Sequence, residues 1–234
     1  MTTPILLSTC MAVPVYVAEE IAVGRCVFQN FVHEEFEEEG VPDEILEEVA
    51  EEILEENELQ NDHSSAAHHY VDENFAHALH HVGGESPFVI QSSRIIGATI
   101  REIANEFAQS RERQRIKEEA DKVNLSTINY QGFYTILEEV FRQGVNKYNV
   151  VALFYFCADV LIKCVKSQLK DIGIKLFKWA IQYIVNRVCA WVARHGGWEK
   201  AIKHTFNNNG QYIVIGAAVG ICAVGCFILY KWNS

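Results

Sequence analysis

Apolar residues recur every three or four positions along most of the chain, and two-residue alternation is scarce, so the pattern predicts helices almost throughout. Over residues 19–39, Ile21, Val23, Val27, Phe28, Phe31, Val32 and Phe36 form one stripe that ends at Gly40. Pro42 suits the first turn of a second helix, where Ile45, Leu46, Val49, Ile53 and Leu54 ride among glutamates. Residues 57–92 are polar, histidine-rich and broken by Gly83, Gly84 and Pro87, with room for a short helix over 66–81. Segment 40–92 therefore reads as a long insertion. Helical periodicity resumes over 94–123 and again over 126–141. Residues 146–167 form the most apolar stretch before the tail, and 150–158 carry no charge. A helix apolar on every side has to be enclosed by others. A basic amphipathic stretch over 168–191 follows, broken by Gly196 and Gly197. The expected architecture is an all-α helical bundle over 19–206 around a central hydrophobic hairpin, preceded by an irregular lead-in over 1–18.

The C-terminal pattern is of another kind. From Tyr212 to Tyr230 nineteen residues pass without a charge, about 28 Å of helix and close to the thickness of a bilayer core. Tyrosines stand at both rims, Lys200 and Lys203 precede it, and Lys231 and Trp232 follow. Gly216 and Gly220 within it have the spacing of a helix-pairing motif. Residues 211–231 are expected to be a transmembrane tail anchor, inserted after translation, with the bulk of the chain in the cytosol. The apolar run near the N-terminus lacks a basic lead and is interrupted by Pro4 and Pro14, which argues against a cleaved signal.

Charge divides the chain in two. Residues 1–93 hold twenty acids and a single base, Arg25, whereas residues 94–234 hold nineteen bases and eleven acids. The acidic half makes nucleic acid an improbable partner, because phosphates would be repelled. The basic half favours anionic lipid, or the acidic helix over 43–58 as an internal latch.

Little of the sequence suggests catalysis. Seven cysteines, odd in number and irregularly spaced, fit small hydrophobes in a reducing compartment better than a disulfide frame. Cys157 and Cys189 lie in apolar runs where a thiol is inert, so a nucleophile pairing either with His195 is not expected. His77 and His81, four apart, are the nearest approach to a metal clip, against the competing reading of a solvated loop whose charge varies with pH. The acidic run lacks the loop geometry of a calcium site. Hydrolase, zinc-protease and nucleotide-binding motifs are absent. No enzyme activity, metal or cofactor is expected.

Two segments carry a resemblance. Residues 139–154, with Phe141, Gly144, Asn146, Asn149, Val150 and Leu153, resemble the first homology motif of the B-cell lymphoma two (Bcl) family of apoptosis regulators. Trp191, Gly196, Gly197 and Trp198 resemble the second, and both stand in order before a tail anchor. Physically, Gly144 permits a tight turn before a buried helix that starts at Asn146, and the glycine pair lets Trp198 fold back onto the bundle. Residues 19–41 and 130–141 resemble helices of the Bak-type effectors, and 150–163 resemble Bax; the insertion over 42–92 departs from all of them. The resemblance implies the Bcl-like fold and, ahead of a guardian that sequesters pro-apoptotic helices, an effector that assembles with itself, meets other family members and their helical ligands, and permeabilises the mitochondrial outer membrane. The endoplasmic reticulum is the second address. An unrelated tail-anchored adaptor or channel is the alternative outside the family.

The family's third motif is an amphipathic helix that enters a groove. Two registers compete. One centres on Gly97-Ala98 and puts Ser93 where a large apolar side chain is wanted; the other sets Ile96, Ile100, Ile103 and Phe107 at spacings of four, three and four, with Ala104-Asn105 at the motif's centre. The second is preferred. The resemblance places the receiving groove at Ile136, Val140, Phe141, Gly144, Asn146, Asn149, Val150 and Leu153. Asn149 replaces the family's groove arginine and Asn105 the aspartate that pairs with it, so both ends of one charge-assisted hydrogen bond are exchanged for amides. Two amides can bond one another, which implies a groove suited to its own helix.

Overall fold

A computed structural model describes residues 15–41, 86–142 and 144–204. The predicted helices after Pro42 and over 66–81, the acidic latch, His77 and His81, and the tail with Tyr212, Gly216, Gly220 and Tyr230 lie outside the described residues. Among those described, every regular element is helical: α1 Val15–Glu38, α2 Pro87–Ala108, α3 Arg111–Lys122, α4 Tyr130–Val140, α5 Lys147–Lys166, α6 Lys170–Tyr183, a π-helical segment Ile184–Cys189, α7 Ala190–Arg194 and α8 Trp198–His204.

The central helix is α5. Asn146 caps it, its side-chain oxygen accepting from the backbone N–H groups of Tyr148 (2.9 Å) and Asn149 (3.0 Å). Every residue from Asn149 to Ile162 is buried. Around it pack α1, α2, α3 and α6. Phe28 and Phe31 of α1 meet Phe154 at 5.0 and 5.5 Å between ring centroids, and Phe28 also stacks on Phe177 of α6. The predicted stripe of α1, from Val23 to Phe36, is its buried face.

Element boundaries differ from the periodicity in four places. α1 begins at Val15, so residues 15–18, expected as irregular lead-in, are its first turn. The other three differences each have a local reason. The expected single helix over 94–123 is two. Its first part begins at Pro87, whose preceding Ser86 accepts from Val89 N–H, and a second cap, Ser110, accepts from Arg113 N–H and starts α3. The helix expected from Ser126 starts at Tyr130, because Asn124 and Asn129 hold the connection in turns and Asn129 caps Gly132 N–H at 2.9 Å. The stretch expected from Gln168 starts two residues later. Gln168 sits at φ +58 and closes α5, with Leu169 N–H donating to the Cys164 carbonyl at 2.9 Å.

Tertiary polar ties fasten the coat. Lys163 on α5 donates to the carbonyls of Asp121 and Val123, satisfying the open end of α3. Glu39, just past α1, receives Lys117 at 2.9 Å and Lys166 at 2.6 Å.

Candidate helix-exchange site

The apolar face of α2 is written by its spacing. Ile96, Ile100, Ile103, Ala104 and Phe107 are all buried, and the same face runs back through Ser93 to Val89. Ser93 is tolerated there because its hydroxyl donates to the Ile90 carbonyl at 3.1 Å. Asn105 points away and is exposed, and its side chain makes no hydrogen bond among the described residues.

Two polar arrangements hold this helix down, and a third fastens α3 beside it. The Tyr155 hydroxyl of α5 donates to the Ala104 carbonyl at 3.2 Å while Phe107 stacks on its ring, centroids 6.0 Å apart. Arg101 of α2 lies 4.5 Å over the Phe31 ring, pairs with Glu35 at 2.8 Å and reaches Glu34. Burial pushes the Glu35 carboxyl above its usual range, and the Arg101 hydrogen bond pulls it back. On α3, Arg113 grips Asp159 of α5 in a bidentate pair of 2.7 and 2.8 Å and covers the Tyr155 ring at 4.2 Å. Tyr155 is thus the common floor of α1, α2 and α3, and burial pushes its hydroxyl up to about 12, so it stays a proton donor.

The expected groove residues assemble around the start of α5. Ile136, Val140, Phe141, Val150 and Leu153 are buried in the core, and Leu137 of the same wall accepts from the Tyr183 hydroxyl at 3.2 Å. Gly144 has φ +101, a left-handed backbone that disfavours any side chain even though the space beside it is open. Asn149 is fully enclosed. Its Nδ2 donates to the Gly144 carbonyl at 2.9 Å, while its Oδ1 has no partner. Asn149 and Asn105 therefore do not meet within one chain, and the unpartnered atom of Asn149 is its acceptor, Oδ1. Sequence reasoning missed Lys147, a buried cation whose Nζ lies 4.9 Å above the Tyr148 ring. Burial lowers its pKa, and Glu106 and Glu102 of α2 oppose the shift. Its signal in the sequence was the Lys147-Tyr148 pair itself.

The second motif closes on α1. Gly196 and Gly197 take φ +81 and +96, which turns the chain so that the Trp198 indole N–H donates to the Glu20 carbonyl at 2.9 Å and its backbone N–H to the Glu20 carboxylate at 3.2 Å. A side chain at Gly197 would strike Glu20, and one at Gly24 would strike Cys189 and Trp198. Trp191 is half-buried, its ring 4.4 Å from that of the exposed His195. Cys157 and Cys189 are buried, and burial pushes both thiols up, away from nucleophilic use. Among the described residues no cluster of three His, Cys, Asp or Glu side chains could hold a metal ion.

Comparison with known proteins meets this geometry at the same residues. Residues 100–198, from the α2 anchor Ile100 to Trp198, match the family described as apoptosis regulator proteins, Bcl-2 family. The chain is 26% identical over 110 residues to apoptosis regulator Bcl-2 of Canis lupus familiaris, covering 47% of this chain and 46% of that protein. It is 26% identical over 110 residues to Bcl-2-like protein 1 of Homo sapiens, 47% of each. To apoptosis regulator BAX of Mus musculus it is 24% identical over 132 residues, 56% of this chain and 67% of that one. The chain thus spans about half the length of the first two relatives. Residues 100–198, with both glycine turns in place, thus carry a Bcl-2 family domain within the all-helical bundle.

Proposed function

We propose that this chain is a pro-apoptotic, Bak-like effector that homo-oligomerises by exchanging α2 between grooves and permeabilises the mitochondrial outer membrane, releasing cytochrome c. One observation carries the reading: α5, long and apolar enough to cross a bilayer, lies buried beneath an α2 held by a few side-chain ties. Its length and composition give it a second place to go once that cover lifts. In this mechanism the tail over 211–231 anchors the chain, Arg101 and Tyr155 release α2, and Ile96, Ile100, Ile103 and Phe107 enter the groove at Ile136, Val140, Val150 and Leu153 of a second copy. The partners are a second copy, other Bcl family proteins with their helical ligands, and the lipid bilayer; the role is regulatory, not enzymatic.

A guardian that keeps its fold and sequesters pro-apoptotic helices is the second reading, favoured by the matches to Bcl-2 and Bcl-2-like protein 1. Expression of the full chain in cells lacking endogenous effectors separates them. An effector restores cytochrome c release and death. A guardian does neither but suppresses death driven by a co-expressed effector, and an unrelated adaptor does none of these.

A further inference from the structure

A buried amide with one half unused sits at the mouth of α5. Asn149 is fully enclosed, and its orientation is fixed by its neighbour: the Gly144 carbonyl can only accept, so the amide nitrogen must face it. That leaves Oδ1, an acceptor, buried and unpartnered. An unpaired buried polar atom is destabilising and persists in a folded chain only where something offsets or uses it.

A donor is available on the helix with the clearest means of leaving. Asn105 is one residue from Ala104, whose carbonyl takes the Tyr155 hydroxyl, and next to Glu106, which acts on Lys147 two residues before Asn149. It therefore belongs to the part of α2 nearest the first turn of α5. In the folded chain its amide is exposed and makes no hydrogen bond among the described residues.

We propose that Asn149 is a specificity residue that selects an amide over a carboxylate on the helix entering the groove, and that the helix it selects is α2 of a second copy, donating Asn105 Nδ2–H to Asn149 Oδ1. The discrimination is one of hydrogen-bond polarity. With one Nδ2–H committed to Gly144, the unpartnered group of Asn149 is the Oδ1 lone pair. An ionised aspartate at position 105 would set acceptor against acceptor there and leave that lone pair unsatisfied in a site closed to water. Rejection of a mismatched polar group in such a site is larger than the gain from the matched one. This rests on the proposed exchange of α2 and names its partner.

The test uses the full chain in detergent micelles and three fluorescent peptides of residues 94–110: the native sequence, Asn105→Asp and Asn105→Ala. The native peptide is expected to bind at least fivefold tighter than the aspartate form and about threefold tighter than the alanine form, which controls for repulsion by the chain's net charge of −11. Asn149→Ala in the chain, its folding checked by circular dichroism, is expected to bring all three within twofold. Equal or stronger binding of the aspartate peptide, an alanine peptide equal to the native one, or no binding of any peptide overturns the proposal, and the wild-type chain alone decides these. The cell assay is independent. Native-peptide preference in a chain that only suppresses death leaves this inference standing and removes the effector reading; cytochrome c release without the preference does the reverse.

Discussion

Tyr155 donates its hydroxyl proton to the carbonyl of Ala104 at 3.2 Å, inside a cage formed by the rings of Phe31 and Phe107 and the guanidinium of Arg113. One side chain of the enclosed helix thereby holds the helix that exchange would have to free. The bond is made to backbone, so it reads the position of α2 and not its side chains.

Tyr155→Phe keeps the ring and deletes the bond, leaving the Ala104 carbonyl short of a partner. A loss of about 1 kcal/mol in global stability is expected by chemical denaturation. Amide hydrogen exchange should quicken in α2 more than in α4. Equal acceleration in both helices would mean that Tyr155 serves the core as a whole.

The α1–α2 tie should behave as a charge trap. Glu35→Gln leaves Arg101 beside Glu34 alone, and Arg101→Met leaves the buried Glu35 without its cation. The second is expected to cost more, about 2 kcal/mol, because a buried carboxylate then lacks its compensation. The double variant should be less destabilised than the two singles added together. Strict additivity in a double-mutant cycle would show that the pair is not coupled.

Glu39 gives an acid dependence whose sign can be worked out. Hydrogen bonds from Lys166 and then Lys117 lower its pKa from 4.5 to about 2. With the folded value depressed, its contribution is complete above pH 4.5 and is lost as pH falls toward 2. Because the site is partly exposed, salt should weaken the effect. Glu39→Gln is expected to flatten the stability curve between pH 4.5 and 2, measured by thermal melts at low ionic strength. An unchanged slope would remove Glu39 as its source.

Gly24→Ala tests the closure of the second motif. The new Cβ would lie 2.6 Å from Cys189 Sγ and 2.9 Å from the Trp198 ring. Overpacking of this kind costs typically about 1–3 kcal/mol. Trp198 fluorescence should shift red as the indole loosens, and a spectrum identical to wild type would count against a tight contact.

What could be read before the structure was mostly periodicity. The stripe of α1, the all-round apolarity of α5 and the glycine turns at 144 and 196–197 stand where spacing put them, because burial of apolar side chains and left-handed backbone are local demands. The anchors Ile96, Ile100, Ile103 and Phe107 form one buried face for the same reason. Boundaries were less legible, since Ser86, Ser110 and Asn129 act as caps only where the chain actually turns. Least legible were the long-range partners. Nothing adjacent to Arg113 announces Asp159, forty-six residues away, or adjacent to Arg101 announces Glu35. Asn149 was singled out for the charge it lacks, whereas its hydrogen-bond polarity depends on the Gly144 carbonyl being beside it.

The π-helical segment Ile184–Cys189 alters how everything after it is clocked. One residue inserted into an α-helix advances all later side chains by about 100°. Without that extra step Trp191 and the glycine pair would emerge on another quadrant of the bundle, and the indole that reaches Glu20 would face elsewhere. Removing a single residue from 184–189 would therefore leave the composition of the second motif intact and mistime its delivery to α1.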